Sequence, residues 1–416
     1  MNEYYLKYLK YKKKYLHIIR NNINNNINSN INNNINNNKI KGGNINNNKL
    51  GHINITDNNI ILYAIGDIHG DFQLLKYILT ELLKVAKYDN KTNKFTWISK
   101  NIYLIFNGDL VDRGGRDDKV VDIEKNDILI INNLIELKKQ AKSNNSDILL
   151  MTGNHELMIF DQDFRFSTLD KDQKKNIIRG SDFSKLYSDN VLGLLRLNNL
   201  LFTHGGICKE MFNPKNYNIN FDNTDIINHI NILIRKWLKG IKLSKDENKD
   251  IITILSGKSA SPMWCRTFGR KNENEDCADE IDEDVFNKIK KLDNIPLKYK
   301  DDLRMIIAHT IQQSGINPSC SEKVWRIDTG MSRAFDKHID KKNNINIKNI
   351  QKQYKENYRK IQVLEIKMNN KGLYTNFKKI VSNKRTHDLV ESTDSLDKFA
   401  LSENLLDYDK DLVDYI

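Results

Sequence analysis

Several absences narrow the possibilities before any motif is considered. No apolar run in the 416 residues approaches the roughly 18 needed to cross a bilayer. The N-terminus has neither the apolar core nor the small-residue cleavage site of a secretory signal. Cysteine is scarce: Cys208, Cys265, Cys277 and Cys320 lie far apart with no C-x-x-C pair. That usage argues against a thiolate zinc site and for reduced thiols rather than disulfides, so an intracellular, cytoplasmic setting is expected. Acidic residues are nearly missing from residues 1–50, where nine Lys or Arg face only Glu3. That stretch supplies +8 of the formal +12 and leaves +4 for the remainder, so a basic nucleic-acid-binding face on the folded part has little support.

What is present falls into four parts. Residues 1–20 are a basic leader in which Tyr5, Leu9, Leu16 and Ile19 approach helical spacing between lysines. Such a helix is either solvated on one side or tethers the chain to a membrane or particle. Its Tyr/Lys-rich opening resembles those of proteins from large DNA viruses, which would make virion association the matching location. Residues 21–50 are a low-complexity Asn/Ile linker, expected to be disordered. A folded domain is expected over 53–368, followed by a 369–416 tail that is acidic at its end, with eight acids against two lysines in 390–416.

Within the domain, polar residues repeatedly follow apolar, β-branched runs. Gly66-Asp67-Ile68-His69-Gly70 follows Ile60–Ile65, and Gly108-Asp109-Leu110-Val111-Asp112-Arg113-Gly114 follows Ile102–Phe106. Gly153-Asn154-His155-Glu156 follows Ile148–Met151, His204-Gly205-Gly206 follows Leu200–Thr203, and His309-Thr310 follows Met305–Ala308. Runs of this kind read as buried strands. Helical spacing is expected over 71–86, 120–140, 225–239 and most of 160–196. A hairpin is expected around Trp97, charged surface insertions over 241–250 and 270–303, an inserted helix or loop over 336–360, and further strands at Val324–Ile327 and Ile361–Ile366. Strand, polar loop, helix, strand is the rhythm of an α/β fold, and such sheets carry their chemistry at the carboxyl ends of strands.

Asp67, His69, Asp109, Asn154, His204 and His309 offer carboxylate, imidazole and amide donors that suit Mn²⁺, Fe²⁺ or Zn²⁺. Six donors are too many for one such ion and suit two that share a carboxylate, an arrangement that clamps phosphoryl groups and activates water. Singly, each motif reads as readily as a capped helix or a structural histidine. Five in sequence are hard to produce by chance.

As a set, these motifs resemble the calcineurin-like metallophosphoesterases. Val111-Asp112-Arg113-Gly114 points to their phosphoprotein phosphatase branch. Pro262-Met263-Trp264-Cys265-Arg266, Ile327-Asp328-Thr329-Gly330-Met331-Ser332 and Val363-Leu364-Glu365-Ile366 are most similar to the bacterial-type, Shewanella-like protein phosphatases. The resemblance implies an α/β fold, a β-sandwich flanked by helices (αββα), and two divalent metal ions, with Mn²⁺ favoured and Fe or Zn as alternatives. One ion would sit on Asp67, His69 and Asp109, the other on Asp109, Asn154, His204 and His309. It also implies His155 as general acid held by Asp112, Arg113 and Arg266 as phosphate ligands, and in-line attack on a phosphoprotein or small phosphate ester by a hydroxide bridging the metals. Ala308 stands where the family usually has Gly, Thr152 where the eukaryotic enzymes have Arg, and the eukaryotic Ser-Ala-Pro-Asn-Tyr loop is missing. Ile311 occupies a position where diesterase branches usually carry a second His, which favours monoester chemistry. A dinucleotide polyphosphate hydrolase and a phosphate-binding module that has lost catalysis are the rival assignments.

Overall fold

The computed structural model describes residues 49–114, 125–218, 224–273, 275–292, 295–335, 359–385 and 389. The expectations for residues 1–20, most of 21–50, most of the 336–360 insertion and 390–416 lie outside them. Fourteen strands are present among the described residues: β1 (His52–Ile53), β2 (Ile61–Ile65), β3 (Ala86–Asp89), β4 (Lys94–Trp97), β5 (Ile102–Phe106), β6 (Asp147–Met151), β7 (Val191–Leu192), β8 (Leu194–Leu197), β9 (Leu200–Thr203), β10 (Arg304–Ile307), β11 (Asn317–Ser319), β12 (Val324–Arg326), β13 (Lys360–Met368) and β14 (Tyr374–Arg385). They form two six-stranded sheets, ordered β14-β13-β2-β5-β6-β7 and β1-β8-β9-β10-β12-β11, plus the β3–β4 hairpin around Trp97. Strands β2, β5 and β6 run parallel in the first sheet. Strands β9, β10 and β12 run parallel in the second.

Each strand divides its apolar residues between two cores with a period of two, as pleating requires. Leu62 and Ala64 of β2, Ile105 of β5, and Leu149 and Met151 of β6 meet Leu195, Leu197, Leu200, Phe202, Ile306 and Trp325 from the other sheet. These residues form the sandwich interior. The alternate residues, among them Ile65, Leu104, Phe106, Leu150, Leu201 and Met305, face the second core, which holds the helical cover. The helix Phe72–Tyr77, continued by a wider turn through Leu82, buries Phe72, Leu74, Leu75, Ile78 and Leu79. Its first turn is capped by the Asp71 carboxylate, which accepts the Leu74 N–H at 3.2 Å. The helix Asp127–Lys142 buries Ile130, Ile131, Leu134 and Leu137.

Some expectations need correcting. The helical stretch expected through Arg196 ends at Asn190, and Val191–Leu197 supplies β7 and β8, because its residues are buried on both faces. The charged run 270–303 is not a surface insertion: its Lys and acidic residues alternate with Ile281, Val285, Phe286, Ile289 and Tyr299, all of them buried. β14 escaped notice because it lies at the sheet edge with polar residues alternating along one side. The cysteines do not stand apart. Cys208 pairs with Cys265 and Cys277 with Cys320, across sequence separations of 57 and 43. Spacing along the chain carries no information about which loops the sandwich brings together.

Leu62→Ala, at the centre of the interior, is expected to lower unfolding stability by about 2–5 kcal/mol in urea titration. Ile98→Ala on the exposed side of the hairpin should stay within about 0.5 kcal/mol.

Candidate metal centre

The five loops converge where the parallel strands of both sheets run out. Asp67 and His69 follow β2, Asp109 follows β5, and Asn154 and His155 follow β6. His204 and His309 arrive from β9 and β10 of the facing sheet. The turns are tight. His69, Asp109, Asp112 and His309 all adopt positive φ, at 45°, 51°, 70° and 65°, a region L residues avoid unless their surroundings hold them there. At Gly108 (φ 94°) a side chain would also stand 2.7 Å from both the Gly153 nitrogen and His204 Nδ1, so only glycine lets the two loops approach.

Asp109 is central. Its Oδ2 lies 3.2 Å from His204 Nε2, 3.7 Å from His69 Nε2 and 3.9 Å from His155 Nε2. Asp67 Oδ2 is 3.7 Å from His69 Nε2, and Asn154 Oδ1 is 3.0 Å from His204 Nε2. Two three-residue groups, His69–Asp109–His155 and Asp109–His204–His309, each offer donor atoms within 4.8 Å of one another, with Asp109 in both. Three histidines are oriented from behind. His69 Nδ1 donates to the Val111 carbonyl (3.1 Å), His204 Nδ1 to the Asn107 carbonyl (2.8 Å), and His155 Nδ1 to Asp112 Oδ2 (2.9 Å). Each bond fixes the tautomer and turns Nε2 toward Asp109. Arg266 is brought alongside, its Nη1 donating to the His309 carbonyl at 2.9 Å. Arg113 is buried, with the Asp127 carboxylate as a neighbouring charge.

The donor set fits divalent cations. Asp67 Oδ1 and His309 Nε2 are buried without a hydrogen-bond partner among the described residues. Burial and the charges of Asp328 and Asp109 push the Asp67 carboxyl well above its ordinary range. Burial opposes ionisation of Asp109 too, yet His204, His155 and His69 hold it well below that range. Burial, with Arg266 and His204 nearby, keeps His309 neutral. A cation placed among these groups would relieve the carboxylate repulsion and find the neutral His309 nitrogen facing it.

Sequence reasoning assigned no role to several residues that build the centre. Glu156 accepts the N–H groups of Asp109 (3.0 Å) and Gly153 (2.7 Å) on one oxygen and of Leu110 (2.6 Å) on the other. Asp328 is buried beside Asp67, and burial raises it to about 6; it follows the strand-like run Val324–Ile327, the same place relative to a strand as the other candidate donors. Asp71 accepts Arg333 N, Nε and Nη2 at 3.0, 3.0 and 2.8 Å, which folds Phe335 onto His69 with ring centroids 5.0 Å apart. Asp127 is fully buried, and desolvation followed by the Asp112 charge raises it to about 8. Neither of these two has a signal in local sequence.

Two measurements test this centre. Mn²⁺ added to metal-stripped protein should raise Tm, by the equivalent of about 2.7 kcal/mol at a hundredfold excess over Kd, and Asp109→Asn should remove the shift. Asp127 has a folded-state pKa raised from 3.8 to about 8, so its contribution is fully present below the lower value and is lost as pH rises through the upper one. Asp127→Asn keeps that position neutral at every pH, and its Tm relative to the native protein should therefore climb between pH 5 and pH 9.

Comparison with known proteins agrees with this geometry. The model of the calcineurin-like phosphoesterase family matches residues 61–313. Shewanella-like protein phosphatase 2 of Arabidopsis thaliana is 28% identical over 303 residues, covering 65% of this chain and 71% of that protein. Shewanella-like protein phosphatase 1 of Plasmodium berghei is 30% identical over 289 residues, covering 65% and 67%. The solved structure of a cold-active protein-tyrosine phosphatase from a psychrophilic Shewanella species aligns with a TM-score of 0.46 at 16% identity, over 79% of this chain and 82% of that one. The family match starts at the first residue of β2 and runs past His309, enclosing every loop of the centre, and the chain belongs to the calcineurin-like phosphoesterase family.

Proposed function

We propose that the protein is a dinuclear metal-dependent phosphomonoesterase whose substrates are phosphoproteins. The observation that carries this is the placement of His155. Its Nδ1 is held by the buried Asp112 carboxylate at 2.9 Å while its Nε2 faces Asp109 at 3.9 Å. A histidine so held keeps one tautomer when neutral, and the carboxylate stabilises it when protonated. From Nε2 it delivers a proton to the ester oxygen as that oxygen leaves phosphorus. Arg266, anchored through the His309 carbonyl, and Arg113 present guanidinium groups, whose planar fork matches phosphoryl oxygens.

Asp67, His69 and Asp109 would hold one divalent ion, and Asp109, Asn154, His204 and His309 the other; Mn²⁺ suits this mixed oxygen and nitrogen set, as do Fe²⁺ and Zn²⁺. Bound there, the ions supply positive charge to the phosphoryl oxygens and acidify water near neutral pH. The buried surroundings exclude bulk solvent: Asp67, His69, Asp109 and Asn154 are each 2% exposed, which strengthens every charge interaction at the centre. The names of the two curated relatives support a phosphoprotein as substrate.

The decisive experiment is hydrolysis of p-nitrophenyl phosphate and of a phosphopeptide by metal-stripped protein supplied with Mn²⁺. His155→Ala and Asp112→Asn should lower kcat about 10²–10⁴-fold while leaving the Mn²⁺-induced rise in Tm intact. Faster turnover of diadenosine tetraphosphate than of the phosphopeptide would assign the centre to dinucleotide polyphosphates. Metal binding without turnover of any of the three would mean that catalysis has been lost.

A further inference from the structure

Next to His155 lies a feature that the ester chemistry does not use. After the helix Asn154–Phe160 the chain folds back beside the centre. Phe166 sets its ring 5.2 Å from that of His155, and its carbonyl accepts the Gly114 N–H at 2.9 Å. Two residues upstream, Phe164 joins Gln162, Lys171, Lys174, Lys175 and Ile178 in lining a cavity of about 570 Å³. Three lysines line this cavity, largely through their aliphatic stems, and among the described residues no acidic side chain does. Lys174 Nζ stands 5.1 Å over the Phe164 ring. Lys175 shares Asp172 at 3.3 Å, but among the described residues neither Lys171 nor Lys174 has a carboxylate within ion-pair distance. Ile178 is 38% exposed, so the walls are part apolar and part cationic.

We propose that this cavity reads the substrate around its phosphorylated residue, accepting an acidic side chain between Lys171 and Lys174 with the neighbouring residue against Phe164 and Ile178. The proposal rests on the phosphatase assignment above and adds the substrate class: phosphoproteins with acidic residues near the phosphorylated position. Phe164 lies two positions before Phe166, so their Cα atoms are at most about 7 Å apart. Adding the 5.2 Å between the Phe166 and His155 rings gives a span of about 12 Å, which an extended peptide at about 3.3 Å per residue covers in about four residues. Charge complementarity of this kind acts mainly on encounter and affinity, and salt weakens it.

The test uses the full chain with Mn²⁺, p-nitrophenyl phosphate, and two phosphopeptides identical except that acids three to five positions on either side of the phosphorylated residue become Gln in one. The native protein should favour the acid-flanked peptide by about three- to thirtyfold in kcat/KM, chiefly through KM. Raising the ionic strength from 0.05 to 0.5 M should shrink that ratio. Lys171→Glu/Lys174→Glu/Lys175→Glu, three changes on the protein surface, should abolish or reverse the preference while leaving turnover of p-nitrophenyl phosphate unchanged. Equal turnover of the two peptides by the native protein, or a preference that survives in the triple variant, would overturn the proposal. Either result, obtained while p-nitrophenyl phosphate is still hydrolysed, leaves the phosphatase assignment standing; no hydrolysis of that ester would sink the assignment itself. The acidic segment 390–416 offers the same chemistry within the chain. A full chain carrying Asp407→Asn, Asp409→Asn, Asp411→Asn and Asp414→Asn should turn over the peptides at the native rate. A rise that the triple lysine variant reproduces would assign the cavity to that segment and overturn the substrate role.

Discussion

One carboxylate keeps the centre in register. Glu156 takes the N–H groups of Asp109, Leu110 and Gly153, and so ties the loop after β5 to the loop after β6. Asp109 is held at positive φ by that grip, and its carboxylate is the group on which both halves of the centre meet. Burial, then the charge of Asp109, raises Glu156 to about 7, so the tie lies in a space where an unpaired polar group is costly. Without it three buried N–H groups would lose their acceptor, at about 1–3 kcal/mol each. The strands bring the loops close; Glu156 sets their final spacing.

The next layer selects which atom each side chain presents. A histidine has two nitrogens, and a backbone carbonyl behind one of them decides the matter for His69 and His204. His155 has Asp112 in that place instead of a carbonyl. The difference is chemical: a carbonyl only orients, whereas a carboxylate also stabilises the imidazolium. That contrast separates the histidine suited to moving a proton from those suited to holding a cation. Aromatic rings close the sides, with Phe335 on His69, Phe166 on His155 and Trp264 on His309.

Much of this was legible in the sequence, for a definite reason. A strand buried on both faces is a continuous apolar run, and a polar residue at its carboxyl end breaks that run, so β2, β5, β6, β9 and β10 announced themselves together with the polar side chains that now converge. Asp328 obeys the same grammar after β12. Asp127 and the Asp71–Arg333 contact could not be read, because a carboxylate near a helix start looks like an ordinary cap, and a partner 262 residues away leaves no local trace. The pairing of Cys208 with Cys265 was invisible for the same reason. The helices of 270–303 were missed because charged residues dominate their composition while Ile281, Val285, Phe286 and Ile289 are buried, and β14 because only Tyr374 and Ser382 of its residues are buried.

The centre also straddles the two sheets, and this couples it to the sandwich interior. Asp67, His69, Asp109 and Asn154 come from one sheet, His204 and His309 from the other. The seam between them is carried by Asn107, whose Nδ2 donates to the Thr203 carbonyl at 3.0 Å and the Ile306 carbonyl at 3.4 Å while its own carbonyl accepts from His204. The Cys208–Cys265 bond adds a second tie, joining the loop of His204 to the residue before Arg266. Distances across the centre are therefore set by how Leu62, Ala64 and Ile105 pack on Leu195, Phe202 and Ile306. Interiors are close-packed, so a change of even one methylene there is felt by the packing of both sheets. A displacement of about 1 Å is small for a fold and large for the spacing of reacting groups, so the geometry of the centre responds to such a change before the fold does.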